Sequence, residues 1–174
     1  GDHHLALVIA DAAGHGVSAA MLAVLFKHRL RLQHDGTGSP YSPAEALQRM
    51  NTALMTDLSV PGAFVTAAVG LLNLSTGELC LASAGHTPVV VFNATGGTHE
   101  LCHTGPALGL YDDAVFEEHC WQIQAGDQVM LMTDGIQDLG GDTPPTTAEL
   151  DRALRQHKGH TDSLRRTFFD IAHG

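Results

Sequence analysis

The chain has 174 residues, of which 44% are hydrophobic and 16% are charged, and its formal net charge at pH 7 is −10. So apolar a composition excludes an intrinsically disordered protein, and the length predicts a single domain over residues 1–174. Because of the excess of acidic residues, we do not expect nucleic acid or an anionic membrane surface as a partner, since both carry negative charge and repel an acidic chain.

Nothing in the sequence predicts export or a membrane span. The two longest stretches without Asp, Glu, Lys or Arg, residues 58–77 and 79–99, are interrupted by Pro, Gly and polar residues, which favours strands and turns. No signal peptide is visible. Because Cys80, Cys102 and Cys120 are odd in number and form no C-x-x-C pair, we expect reduced thiols in a cytoplasmic protein.

The first predicted element is a strand that ends in a carboxylate. Residues Leu5–Ala10 form a continuous apolar run, which is typical of a strand buried on both faces. From Val17 the spacing becomes helical, and Met21, Leu22 and Leu25 fall on one predicted apolar face.

A second helix is predicted to begin at Ser42. The Ser42 hydroxyl can cap the helix, Pro43 suits its first turn, and Glu45 can close a capping box. The apolar positions of this helix are Leu47, Met50, Leu54, Met55 and Leu58.

The middle of the chain predicts strands, and its end predicts helix again. The predicted strands are Phe64–Leu72, Glu78–Ser83, Val89–Phe92 and Gln128–Thr133, and the tight connections between them favour antiparallel pairing. A later helix has Thr147 as its candidate cap. This order of elements predicts an α+β fold with helices packed on antiparallel sheets.

Residues 99–103 (HELCH) match the H-E-x-x-H pattern of zinc peptidases. That chemistry requires both imidazoles on one face of a stable helix. Gly96-Gly97 precedes this segment and Gly105-Pro106 follows it, and these residues would not extend so short a helix. We therefore expect His99 and His103 in an exposed strand or loop.

Two aspartates form a stronger pattern, because each follows an apolar strand and precedes a turn. Asp11 is followed by the small residues 12–14, and Asp134 is followed by Gly135. If neighbouring strands bring the two carboxylates together, a cation such as Mg²⁺ or Mn²⁺ must lie between them, and the Ala12 carbonyl could join its ligands. The alternative is that each aspartate caps a turn.

Several segments resemble motifs of one enzyme family. Residues 11–20 (DAAGHGVSAA) resemble the D-x-S-G-H-G-x-x-A-A signature of the bacterial PPM-type (protein phosphatase 2C-like) serine/threonine phosphatases, in the branch of the stage II sporulation and sigma-factor-regulating phosphatases. Further similar segments follow in the family's order: FVT at 64–66, SAGHTP at 83–88, GPALGL at 105–110, AGD at 125–127 and TDG at 133–135.

The resemblance implies two packed antiparallel sheets flanked by helix pairs, and hydrolysis of phosphoserine or phosphothreonine by a water activated between two ions, Mn²⁺ or Mg²⁺. By position, Asp11 would bridge both metals, Ala12 would ligate through its carbonyl and Asp134 would hold one metal. Gly14 and His15 would face the substrate phosphate. For His15 the alternative is an ordinary helix-start residue, which its place in the turn favours.

The chain departs from the family pattern at both ends. Family members carry a further aspartate in an upstream G-G-D motif and a D-D-x-T segment after the last helix. Here the ends read Gly1-Asp2 and Asp170 to Gly174. We therefore expect either a domain with truncated or omitted segments at its ends or an incomplete metal site. Asp138, after the TDG segment, stands where the family often has an acidic residue.

These observations lead to two hypotheses about function. The first is a metal-dependent phosphatase acting on a phosphorylated bacterial regulatory protein, such as an anti-sigma-factor antagonist, as the C-terminal output module behind a sensor or receiver domain. The second is a catalytically impaired phosphatase-like domain that binds a regulatory partner. A homodimer is a further candidate assembly.

Overall fold

The computed structural model describes residues 3–34, 37–57, 62–101, 104–136 and 146–157. The chain divides into two compact units, Gly1–Leu131 and Met132–Gly174. The single domain expected over residues 1–174 stays a prediction. Several residues singled out in the sequence lie outside the described residues: Asp2, Leu58, Cys102, His103, Asp138 and Asp170.

The described elements follow the predicted order of strand, two helices, strands and helix. They are β1 His4–Ala12, α1 Gly16–Arg29, α2 Pro43–Asp57, β2 Val65–Asn73, β3 Glu78–Ala84, β4 Val89–Phe92, β5 Thr98–Leu101, β6 His119–Gln122, β7 Gln128–Met130 and α3 Thr147–His157. A short 3₁₀ helix, Asp134–Ile136, follows β7. None of the described helices combines the length and the hydropathy that a bilayer crossing requires.

The described strands of the first unit form two antiparallel sheets. Their strand orders are β1-β2-β3-β6 and β5-β4-β7. Leu79 and Leu81 of β3 are fully buried against Val89 and Val91 of β4, so apolar side chains fill the space between the sheets. The predicted α+β fold with two packed antiparallel sheets is confirmed.

Helices α1 and α2 cover the other face of the four-stranded sheet. Their buried residues are Leu22 and Phe26 of α1 and Leu47, Met50 and Leu54 of α2, which pack with Val65, Ala67 and Val69 of β2. Burial of each large side chain stabilises the fold by about 1.5–3 kcal/mol. The second helix layer, on the three-stranded sheet, stays a prediction.

Two predictions about burial were wrong. Strand β1 lies at the edge of its sheet, and its residues are exposed or half-buried rather than buried on both faces. Met21 is 69% exposed, whereas its neighbour Leu22 and also Phe26 are buried. Helix α1 is apolar around much of its circumference, so its spacing alone does not indicate which side faces the core.

Two strands were missed, and both are short and exposed. Strand β5 contains Thr98, His99 and Glu100, all exposed, and pairs with β4. Strand β6 pairs with β3 although most of its residues are exposed. Residues 99–101, the described part of the HELCH segment, are therefore strand, as expected for His99, and not the helix that a zinc peptidase requires.

The helix caps agree with the sequence at one helix and shift by one residue at another. Ser42 Oγ accepts a hydrogen bond from Glu45 N at 3.3 Å, which confirms the predicted cap of α2. The Glu45 carboxylate lies 3.8 Å from His34 Nε2. At α3 the cap is Thr146 rather than Thr147, because Thr146 and Glu149 exchange hydrogen bonds in a capping box.

The structure joins Cys80 and Cys120 in a disulfide, so the expected reduced thiols are not found at these two positions. The two residues lie directly opposite each other on β3 and β6. Sequence spacing did not reveal this pairing, because 40 residues separate the cysteines and β6 was not predicted.

Asp127, from the AGD segment, organises the turn that leads into β7. Its Oδ1 accepts a hydrogen bond from Ala94 N and its Oδ2 accepts one from Gln124 N, both at 2.8 Å. These two backbone donors hold the pKa of Asp127 below its usual value, and the nearby His99 lowers this pKa further. Asp127 thus ties the start of β7 to the turn between β4 and β5.

We predict that Asp127→Asn lowers the thermal unfolding midpoint at pH 7, since an amide oxygen replaces the carboxylate that accepts both bonds. The folded pKa lies below the unfolded value of about 3.9, so the stabilisation is present above that value and is lost as pH falls through the folded pKa. The difference between the unfolding midpoints of wild type and variant should therefore shrink as the pH is lowered from 7 through the folded pKa of Asp127. Asp113→Asn, at an exposed loop position, is the control. An equal decrease of the unfolding midpoint in this control would contradict the stabilising role of the two Asp127 hydrogen bonds.

Candidate metal and phosphate site

The turn between β1 and α1 leaves open space beside its backbone. Gly14 and Gly16 adopt left-handed φ angles of +93° and +76°, which side chains rarely adopt. A Cβ atom at either glycine would meet no atom within 4 Å. The small residues after Asp11 therefore form a turn that a ligand can approach closely.

His15 is the residue before α1. Its backbone is extended, its side chain is exposed, and it forms no side-chain hydrogen bond that caps the helix. This position fits the helix-start alternative, and contact of Gly14 and His15 with phosphate stays a prediction.

Asp11 lies at the end of β1, opposite Thr66 of β2. Thr66 Oγ1 donates to the Asp11 carbonyl oxygen at 3.5 Å and lies 2.9 Å from His86 Nδ1. One hydroxyl satisfies both contacts when His86 carries a proton on Nδ1. His86 is buried, with only 4% of its surface exposed. His86 is thus linked through Thr66 to the backbone that presents the Asp11 carboxylate.

The segments with motif resemblance contact one another around the start of β2. Gly85 N donates to Gly105 O at 2.9 Å, and Gly85 has a φ angle of +61°. A Cβ at Gly85 would lie 3.0 Å from Ala107 N, so the close approach requires glycine. Leu108 is fully buried and exchanges two backbone hydrogen bonds with Val65, at 3.0 and 2.8 Å.

Asn51 connects helix α2 to this region and was missed in the sequence. Its Oδ1 accepts from Gly109 N and its Nδ2 donates to Tyr111 O, both at 2.8 Å, and the side chain is fully buried. The sequence did contain a signal for this role, since Asn51 lies among the apolar positions of an amphipathic helix. An amide buried at such a position needs hydrogen-bond partners.

Asp134 begins the 3₁₀ helix of the second unit and is exposed. Asp11 belongs to the first unit. The convergence of the two carboxylates, and their roles with Ala12 as metal ligands, stay predictions.

The donor chemistry at both aspartates fits a hard divalent cation. Both side chains are exposed, and among the described residues neither carboxylate has a hydrogen bond or an ion pair. Carboxylate and carbonyl oxygens are the ligands that Mn²⁺ and Mg²⁺ prefer. Asp11, the Ala12 carbonyl and Asp134 are therefore suitable ligands.

Comparison with known proteins identifies relatives across nearly the whole chain. The family described as stage II sporulation protein E (SpoIIE) matches residues 1–172. Protein IcfG of Synechocystis is 30% identical over 166 residues, covering 82% of this chain and 26% of that protein. Phosphoserine phosphatase RsbP of Bacillus subtilis is 24% identical over 156 residues, covering 90% of this chain and 38% of that protein. The chain thus spans well under half the length of these relatives.

Solved structures show the same fold. The RsbU and RsbW domains of Rv1364c from Mycobacterium tuberculosis match with a TM-score of 0.76 and 28% identity, over 98% of this chain and 47% of that one. The SiaA-PP2C domain of Pseudomonas aeruginosa matches with a TM-score of 0.78 and 19% identity, over 98% and 73% of the two chains. The family match agrees with the motif segments that meet around β2 and confirms the resemblance found in the sequence: the protein belongs to the family described as stage II sporulation protein E (SpoIIE).

Proposed function

We propose that this domain hydrolyses phosphoserine or phosphothreonine on a regulatory protein, with Mn²⁺ or Mg²⁺ held by Asp11, the Ala12 carbonyl and Asp134. The observation that carries this proposal is the exposed, uncompensated Asp11 carboxylate beside an open glycine turn. Two such ions, when bound, lower the pKa of water and neutralise charge that develops on a phosphoryl group.

The chain's own residues supply position and access. Strand β1, paired along its length with β2, fixes the backbone of Asp11. Gly14 and Gly16 leave open space beside the turn that follows Asp11. His15, exposed at the start of α1, would contact the phosphate together with the adjacent backbone N–H groups, which favour anions.

The relatives support a regulatory phosphoprotein as the substrate. RsbP and RsbU of Bacillus subtilis are named phosphoserine phosphatases, and the Mycobacterium tuberculosis structure contains RsbU and RsbW domains in one protein. We infer that the substrate is a phosphorylated regulator such as an anti-sigma-factor antagonist, in the cytoplasm. We propose that a sensor or receiver domain precedes this output domain; the match covers only 26% and 38% of two relatives, which leaves room for further domains in those proteins. A homodimer stays a prediction.

We predict that Asp11→Asn lowers Mn²⁺-dependent hydrolysis of a phosphoseryl protein about 100-fold or more, since an amide is a poor ligand for a hard cation. Asp134→Asn should act in the same direction. Initial rates of phosphate release over a Mn²⁺ titration, together with circular dichroism to confirm folding, provide the measurement. Asp113→Asn is the matched control. A wild-type chain without turnover favours the partner-binding module instead, and undiminished turnover in Asp11→Asn contradicts the role of Asp11 as a metal ligand.

The contact between Thr66 and His86 provides a separate test. We expect His86→Leu to weaken Mn²⁺ binding about 10- to 100-fold, because the hydroxyl that positions the Asp11 backbone loses its partner. His86→Asn should restore part of this loss, since its amide nitrogen can occupy the position of Nδ1. Calorimetric Mn²⁺ titration separates this effect from turnover.

Thr66→Val should weaken Mn²⁺ binding in the same way, and its effect should not add to that of His86→Leu, since both remove one contact. Unchanged Mn²⁺ affinity with lowered thermal stability alone would show that the pair only supports the fold.

A further inference from the structure

Three side chains of types that can ligate a metal lie close together at β3 and β6 of the four-stranded sheet. Cys80 of β3 and Cys120 of β6 are directly opposite each other, with their Cα atoms 4.0 Å apart. Glu118 lies two residues before Cys120, a spacing that places side chains on the same side of an extended chain. The ligand atoms of these three residues all lie within 4.8 Å of one another.

The Glu118 carboxylate is already held in place. Its Oε2 accepts a hydrogen bond from Ala44 N, in the first turn of α2, at 3.0 Å. Oε1 is then the oxygen that can face a cation. Carboxylates that ligate metals are commonly oriented by such a second hydrogen bond.

The donor set differs in chemistry from that of Asp11 and Asp134. Two thiolates and one carboxylate match the ligands of Zn²⁺, which accepts three protein ligands and a water in tetrahedral geometry. Hard Mn²⁺ and Mg²⁺ prefer oxygen donors and bind thiolates poorly. The two sites should therefore select different ions.

We propose that Cys80, Cys120 and Glu118 hold one Zn²⁺ when the cysteines are reduced, and that the disulfide is the metal-free, oxidised form of the same site. A dithiol reductant cleaves the S–S bond by thiol–disulfide exchange and itself becomes a disulfide, leaving two thiols in the chain. Zn²⁺ then displaces the two thiol protons and bonds to both sulfurs. The proposal does not depend on phosphatase activity.

The test uses Co²⁺ as a spectroscopic substitute for Zn²⁺ in the full chain. After reduction with a phosphine, which supplies two electrons and takes its oxygen from a water that gives the thiols their protons, we expect one Co²⁺ per chain with thiolate-to-cobalt absorption and visible bands of tetrahedral geometry. Zn²⁺ should abolish these bands. The oxidised chain should show neither.

Variants assign the bands to residues. Cys80→Ser and Cys120→Ser should each lose most of the thiolate absorption, and Glu118→Gln should weaken Co²⁺ binding about tenfold or more while its amide oxygen keeps the bond to Ala44 N. Cys102→Ser, at the third cysteine, is the matched control and should leave the spectrum unchanged.

The spectrum distinguishes this site from the proposed catalytic centre. Asp11→Asn should retain the thiolate bands, whatever its effect on hydrolysis. The proposal is overturned if the reduced wild-type chain shows no thiolate band, or if the band persists when Cys80 and Cys120 are both serine. Circular dichroism shows whether each serine variant folds. If one does not, the Co²⁺ titration of Glu118→Gln still tests the site, and unchanged affinity there would contradict the proposed role of Glu118.

Discussion

The antiparallel pairing of β1 with β2 is the constraint on which the rest of the first unit depends. Nine consecutive residue pairs, from His4 opposite Asn73 to Ala12 opposite Val65, fix the register. A shift by one residue would turn every side chain of β1 to the other face of the sheet. The register therefore places Thr66 beside the backbone of Asp11, whose side chain is exposed.

Close backbone contacts extend this constraint to the other motif segments. Val65, next to Thr66, pairs with Leu108, and Gly85 approaches Ala107 closely enough that a larger residue would require displacement. Burial of His86 between these segments has a cost unless its polar atoms have partners, and Thr66 provides one. Residues distant in sequence thus fix the backbone of β2 and, through Thr66, the backbone of Asp11, whose carboxylate is itself exposed. Such rigidity is what an exposed charged ligand needs, because its own side chain has no described partner to orient it.

The sequence predicted the parts of the fold in which local pattern and tertiary environment agree. Strand Val89–Phe92 has the predicted limits because a short apolar run between turns suits the space between two sheets. Strand β5 was missed because exposed His99 and Glu100 carry no apolar alternation, and its existence depends on pairing with β4. Helix α1 was predicted, but Met21 was placed on the wrong side because several of its faces are apolar.

The residues of the candidate site also differ in how far the sequence alone indicated them. Asp11 and the glycines after it were recognisable, since a carboxylate at a strand end followed by small residues has few structural explanations. The hydrogen-bond partners of His86 and Asn51 could be identified only from the tertiary structure, because they are 20 and about 60 residues away in sequence. The pairing of Cys80 with Cys120 was hidden for the same reason.

The negative net charge of the chain favours cation binding at both proposed metal sites. With 19 acidic and 9 basic residues, the chain repels itself, and each bound dication reduces that repulsion. Charge alone would draw any divalent cation to either site, so selectivity must come from the donor atoms. Oxygen ligands at Asp11, Ala12 and Asp134 suit hard ions that activate water, whereas the sulfurs of Cys80 and Cys120 suit Zn²⁺. Because the sulfurs also form a disulfide, oxidation would remove one dication without changing the oxygen ligands of the other site. The chain would then bind its two kinds of ion under independent control.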